Sequence, residues 1–325
     1  MGFADRLRSE IHRAWSDSWP LLATAALMLP NLGLSLVGLL LDPRVITGAP
    51  AWLKPAKFAI STLIYTGSLA WLLRYVSVWP RVTRVAAWTT AVALVIEIAL
   101  IDLQAARGTS SHFNQTTSFD IAVFSIMGGM IALLWIASVV LLLALFRQQF
   151  TDPAWAWALR LGLLVTVLGS AMGGLMLAPR DEQVLTGRQP SGGHTIGAPD
   201  GTPGLPLMNW SRTHGDLRIP HFFGLHGLQA IPLLAWSVGR RRRLRTSIVA
   251  TVATSYLALI GILVAQAMAG QSIVRPDGTI GLALVLWAVA SVAAVAVLRM
   301  SDGDAHAPRS PHGRSPAVAG TGVPS

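Results

Sequence analysis

The stretch "FDIAVFSIMGGMIALLWIASVVLLLALF", residues 119–146, decides the fold class. After Asp120 it runs 26 residues without a charge. A helix needs about 20 apolar residues to cross the hydrocarbon core of a bilayer. Outward from this block, similar runs lie at 20–41, 58–76, 85–105, 155–178, 219–238, 247–268 and 279–298. Together they predict an all-α, polytopic transmembrane bundle of about eight helices. The block at 58–76 is short, and Lys57 and Arg74 at its ends can snorkel to the interfaces. Pro30 in "LPNLG" predicts a kink in the first span.

Composition agrees. The chain is 53% hydrophobic and 12% charged, against about 25% charged in soluble domains. Its net charge of +10 does not point to nucleic acid, because the basic residues stand at the ends of apolar blocks, where they meet lipid headgroups. The lipid bilayer is the expected partner, and oligomeric state is not legible in these residues. Arginine is abundant and Lys54 and Lys57 are the only lysines. With plentiful Ala and Gly, that usage fits a GC-rich bacterial genome. The absence of cysteine excludes disulfides, thiolate metal sites and iron–sulfur clusters.

Residues 1–18 read as an interfacial amphipathic helix, with Phe3, Leu7, Ile11 and Trp15 at four-residue spacing. The apolar run that follows is too long for a signal peptide and lacks a small-residue cleavage site. Residues 19–299 form the eight-helix domain, and 300–325, rich in Pro, Gly and Ser, read as a disordered tail. Counting Lys and Arg puts 16 of the 25 on the N-terminal side of the membrane and nine on the other. The expected placement is a bacterial cytoplasmic (inner) membrane with both termini cytoplasmic.

In that topology the unusual polar stretches share the outer face. "GAPAWLKPAKF" (48–58) places Lys54 and Lys57 on one helix face, as snorkelling residues or as a cationic wall for an anionic headgroup or substrate. "RGTSSHFN" (107–114) supplies Arg107, Ser110, Ser111, His112 and Asn114. The loop 179–218 is expected to be an ordered cap, with a turn at "APDG" and apolar anchors Ile196, Leu205, Leu207, Met208 and Trp210. "THGD" has the form of a capping box from Thr213, with Asp216 as an alternative N-cap of the sixth helix. That helix carries His221 and His226, about 140° apart at about 100° per residue, and Gln229 on the face of His226. "GSAMG", from Gly169 to Gly173, is a small-residue packing motif.

Glu97 lies near the middle of the third span, with Gln104 two turns further along the same face and Asp102 and Arg107 towards the outer surface. A mid-membrane acid costs about 2.5–3.5 kcal/mol on insertion scales, so it is expected to face the interior. It would serve as a structural hydrogen-bonding group or as a proton or cation site.

The segments "RGTSSHFN", "GHTIGAPDG", "NWS" and "HGDLRIPHFFGLHGLQAIPLL" together resemble a group of uncharacterised bacterial multipass integral membrane proteins. The resemblance covers most of the eight-helix region and implies no particular reaction. HExxH and Walker motifs are absent. The leading reading is a metal- or haem-binding membrane protein whose ligands come from His112, His221, His226 and His214, or His194. Haem b is one version. A divalent metal such as zinc, with Asp216 or Asp120, is the other, and would permit hydrolysis of a lipid-like substrate by metal-activated water. The alternatives are a proton-coupled or small-solute transporter built on Glu97, Gln104, His226 and Gln229, with Arg107 and Arg218 as further anion contacts, and a non-catalytic sensor or scaffold.

Overall fold

Prolines and short polar side chains set where the apolar blocks become helices. A computed structural model describes the backbone of residues 3–179, 192–237 and 245–304, and the side chains of 18–179, 192–237 and 245–301. Among these residues lie nine α-helices: α1 (Phe3–Leu41), α2 (Leu53–Leu73), α3 (Pro80–Ala106), α4 (Ser118–Arg147), α5 (Pro153–Ala171), α6 (Arg218–Leu225), α7 (Gly227–Ser237), α8 (Arg245–Met268) and α9 (Gly278–Asp304). A 3₁₀ segment, Met172–Leu177, extends α5. Seven helices, α1 from Ser18 onward, α2, α3, α4, α5 with its extension, α8 and α9, are long and apolar enough to cross a membrane. The chain is an all-α polytopic bundle.

Helix starts have local causes. The Thr117 hydroxyl accepts the Asp120 N–H at 3.1 Å to cap α4. The Asp152 carboxylate accepts the Trp155 N–H at 3.1 Å to cap α5, with Pro153 in its first turn. In α1 the only non-helical dihedrals fall at Ser18 (φ −145, ψ 37), which divides the expected surface helix from the span after it. Helical dihedrals persist through Pro30, so any bend there leaves the helix unbroken, and Pro20 sits in the first turn beyond Ser18. The second span starts at Leu53 rather than 58, so both lysines belong to the first turns of α2. The first residues of the expected tail, 300–304, are helical and end α9 rather than being disordered, while 305–325 and most of the arginine cluster at 240–245 lie outside the described residues.

The expected sixth span is not one helix. It is interrupted at His226, between Gly224 and Gly227, two weak helix formers. Backbone groups around the break find partners on neighbouring helices. The Leu228 N–H donates to the Thr166 hydroxyl at 2.9 Å, that hydroxyl donates to the Leu225 carbonyl at 3.2 Å, and Tyr256 donates to the Phe223 carbonyl at 2.7 Å. Irregular backbone at membrane depth requires such substitutes. Gly169 meets Gly224 and Gly162 meets Pro232, so α6 and α7 run antiparallel beside α5 over its length. The two pieces hold about 19 residues, enough for one crossing at 1.5 Å per residue. "GSAMG" does pack a helix: Gly169 lies against Gly224, and Gly173 faces the His221 ring.

The largest core cluster joins Leu21, Leu69, Leu72, Leu141, Leu145 and Leu163, with Leu228 from α7. These residues come from the Ser18 end of the α1 span, the first half of α5 and the later parts of α2 and α4, so the packed core fills one end of the bundle. The opposite end is open. There two short hairpins cover the helix ends: β1 (Val45–Ile46) with β2 (Ala49–Pro50), and β3 (Thr195–Ile196) with β4 (Gly215–Asp216).

Candidate functional site

At the open end a cleft of about 2090 Å³ lies between α1 and α2 on one side and α4 and the extension of α5 on the other. Its head is polar and carries Lys54, Lys57, Glu97, His112, His194 and Arg218. Its walls are apolar, formed by Leu32, Leu36 and Leu39 of α1, Ile60 of α2, and Ile131 and Trp135 of α4. Leu36, Ile60, Ile131 and Ile136 line the cleft yet remain 42–53% exposed, so its lower part opens sideways through the bundle wall.

Three ionisable groups from three elements meet in the head. Lys54, in the first turn of α2, has its Nζ 3.0 Å from His112 Nδ1. On the other side of the ring, His112 Nε2 lies 3.5 Å from Glu97 Oε1. An ammonium only donates, so Nδ1 accepts and the ring proton sits on Nε2, facing the carboxylate. Burial holds the His112 imidazole well below its ordinary pKa, and the Lys54 charge pushes the same way. His112 is therefore the neutral link between an amine and an acid. Glu97 is 1% exposed, and neither of its oxygens has a hydrogen-bond partner. A buried polar group left unmet costs about 1–3 kcal/mol. It faces the cleft as expected of a mid-span acid, and has a neighbour without a bond.

The described part of the long loop closes over this head. Asp200 accepts the His194 N–H at 3.2 Å and the Thr195 N–H at 2.9 Å, and the chain turns at Asp200 and Gly201, the latter at positive φ, within "APDG". Leu217 N–H donates to the His194 carbonyl at 2.9 Å. Lys57 Nζ donates to the Met208 carbonyl at 2.9 Å, tying α2 to the loop. The tip of the first hairpin, Thr47 and Gly48, both at positive φ, abuts Gly201. Burial and the Arg218 guanidinium lower the His194 pKa to about 4, against the pull of Asp200 and Asp216. Of the expected anchors, Ile196 packs on the cluster of Met176, Leu217 and Ala267, and Trp210 stacks on Phe222, whereas Leu207 is 78% exposed.

Several expected site residues do structural work instead. Gln104 donates to Asp120 at 2.9 Å and Arg107 donates to the same carboxylate at 2.7 Å; Arg107 also bonds Gln104 and lies over Phe119. Thr116 and Thr117 hydroxyls complete the carboxylate's shell, so the cluster clamps the end of α3 to the start of α4. Gln104 shares Glu97's face but is sealed inside this clamp. Asp102 accepts from Asn31 and joins α3 to α1. Asp216, fully buried, takes Arg218 in a two-pronged pair at 2.9 and 2.6 Å and caps the Arg218 N–H at 3.0 Å. It thus holds the start of α6. Thr213 makes no capping box, because its hydroxyl pairs with His214 Nδ1 at 2.9 Å.

The histidines do not form one group. His112, His194 and His221 line the cleft; His214 and His226 do not. His221 Nδ1 donates to the Gly169 carbonyl at 2.8 Å, which fixes its ring at the helix crossing. His226 stacks edge-on against Phe222 with ring centroids 4.4 Å apart. Gln229, on its face, turns into the bundle and donates to Ser68 at 2.9 Å. Among the described residues no three His, Asp or Glu side chains come together as a metal would require. Among the described residues His112, His214, His221 and His226 therefore do not assemble a divalent-metal site, since His214 and His226 lie away from the cleft that His112 and His221 line. The pairing of Lys54 with His112 was not foreseen. Its only sequence signal is that both of the chain's lysines lie just ahead of an apolar block.

No family model matches the chain, and no match to it was found among curated proteins or solved structures.

Proposed function

We propose that the protein is a proton-coupled carrier in a bacterial cytoplasmic membrane, working from the cleft. The observation that carries this reading is the chain Lys54–His112–Glu97, with an unbonded carboxylate at the inner end of a cleft that reaches the surface. Glu97 takes up and releases the proton, and neutral His112 passes it by accepting on one nitrogen as it gives from the other. The interrupted α6–α7 segment supports the same reading. Transporters place broken helices beside their binding sites, and Phe222 and Leu225, at the end of α6, line this cleft.

The test is a pH jump on proteoliposomes adsorbed to a solid-supported membrane, where charge displacement is read directly. Wild type should give a transient current that Glu97→Gln removes, with His112→Ala slowing it. A wild-type protein with no current, or an assembled Glu97→Gln protein with an undiminished one, would sink the reading.

A further inference from the structure

The cleft has two chemistries, and their arrangement points to one class of ligand. The head holds two lysines on successive turns of α2, Lys54 and Lys57, whose known bonds use one N–H each of the three an ammonium carries. Arg218 also lines the head, but Asp216 matches its charge. Asp200 is engaged with backbone N–H groups of the loop. Lys54, Lys57 and Arg218 face the carboxylates of Glu97, Asp200 and Asp216, so the head is balanced with Glu97 ionised and carries one excess positive charge once Glu97 holds a proton. Hydroxyl and amide groups of Ser110, Asn114 and Thr116 border the same space.

Below the head the chemistry changes. From Leu39 and Leu32 across to Met127, Ile131 and Trp135 the lining is apolar, and the space continues to the lateral opening at Leu36, Ile60 and Ile136. A water-soluble solute has no use for such a trough, and an apolar one has no use for the lysines. Gly128 stands on the wall of this trough, and a Cβ added there would meet nothing within 4 Å.

We infer that the cleft binds an anionic amphiphile, with a phosphate or carboxylate headgroup held by Lys54 and Lys57 and a long alkyl chain laid between α1 and α4 and entering from the bilayer. This names the solute of the proposed carrier and rests on that reading for its proton coupling. An anion arriving beside Glu97 favours a proton on that carboxylate, since two negative charges in a dry site repel strongly. Ligand and proton would then move together with little net charge.

The experiment is native mass spectrometry of the purified full-length protein in neutral detergent, with four probes: dodecyl phosphate, a dioleoyl phosphatidylglycerol, inorganic phosphate and dodecyltrimethylammonium. The first two should bind one per chain, inorganic phosphate at least tenfold more weakly, and the cation not at all. Preference between the first two separates a free single-chain acid from a membrane phospholipid. Lys57→Gln should weaken the anionic probes tenfold or more. Gly128→Leu, whose Cβ has open space, adds a side chain on the trough wall and should weaken only the chain-bearing probes. Equal binding of the cationic probe, or full binding of dodecyl phosphate by Gly128→Leu, would overturn the inference. The two readings fail separately. Anionic amphiphiles that bind while the Glu97 current is absent leave the ligand and sink the coupling. A Glu97 current without amphiphile binding does the reverse.

Discussion

His112 Nε2 stands 3.5 Å from Glu97 Oε1, so a residue of the α3–α4 loop reaches the middle third of α3. The contact requires the ring proton on Nε2, because Nδ1 faces the Lys54 ammonium at 3.0 Å. ¹⁵N spectra of histidine-labelled protein in bilayers at pH 7 should show His112 as a neutral Nε2–H imidazole. Lys54→Met should let the proton distribute over both nitrogens. A doubly protonated His112 at pH 7 would contradict the geometry.

Gly169 and Gly224 approach so closely that a Cβ on either would overlap the backbone of the other. The crossing also orients His221, whose Nδ1–H reaches the Gly169 carbonyl. Gly169→Ala should therefore lower stability by about 1–3 kcal/mol, the usual cost of overpacking a tight interior. Gly174→Ala, five residues on with open space around its Cβ, should be close to neutral. Thermal unfolding in detergent distinguishes them, and equal midpoints for both variants would show that the crossing tolerates separation.

Much of this bundle was legible in the sequence because bilayer thickness imposes one length on every span. Hydropathy alone placed seven spans, whereas the starts set by Thr117, Asp152 and Pro153 were not read from it. The break at His226 escaped because hydropathy does not register who satisfies a carbonyl. Thr166 and Tyr256, from α5 and α8, are what make it affordable. The site was half legible. Glu97 stood out by its depth, and the lysines by their rarity. Their meeting through His112 was not, since it depends on how a loop folds back between α3 and α4. Gln104, Arg107 and Asp216 misled for the opposite reason: a polar residue near a membrane end looks functional until its local partner is known.

His194 gives the protein a stability that depends on pH. Its folded pKa is about 4 against an ordinary 6.5, lowered by burial and Arg218 and opposed by Asp200 and Asp216, with Lys54 adding to the lowering. Between those values the unfolded chain binds the proton and the folded one does not, so the contribution is complete above pH 6.5 and is lost as pH falls towards 4. His112 acts in the same direction. The unfolding midpoint should drop between pH 7 and 4.5, and His194→Gln should drop less. Parallel curves for the two proteins would remove His194 from the account.

The lack of cysteine makes orientation simple to measure, because a single introduced thiol is the only one in the chain. Leu207 is 78% exposed on the loop that covers the cleft. Ser77 is at the other end, where its N–H donates to Gln148 at 2.8 Å between α4 and α5. Arg74, Arg81, Arg84 and Arg147 flank that second region, while at the cleft end Arg44, Arg107 and Arg218 are each matched by an aspartate. The rule that retains Lys and Arg on the cytosolic side counts these residues whether paired or not, and the whole chain favours the Ser77 side by 16 to nine. In intact bacteria a membrane-impermeant maleimide should label Leu207→Cys directly, and Ser77→Cys only after permeabilisation. The reverse pattern would place the cleft in the cytosol, so that a ligand and its proton would enter from the opposite face.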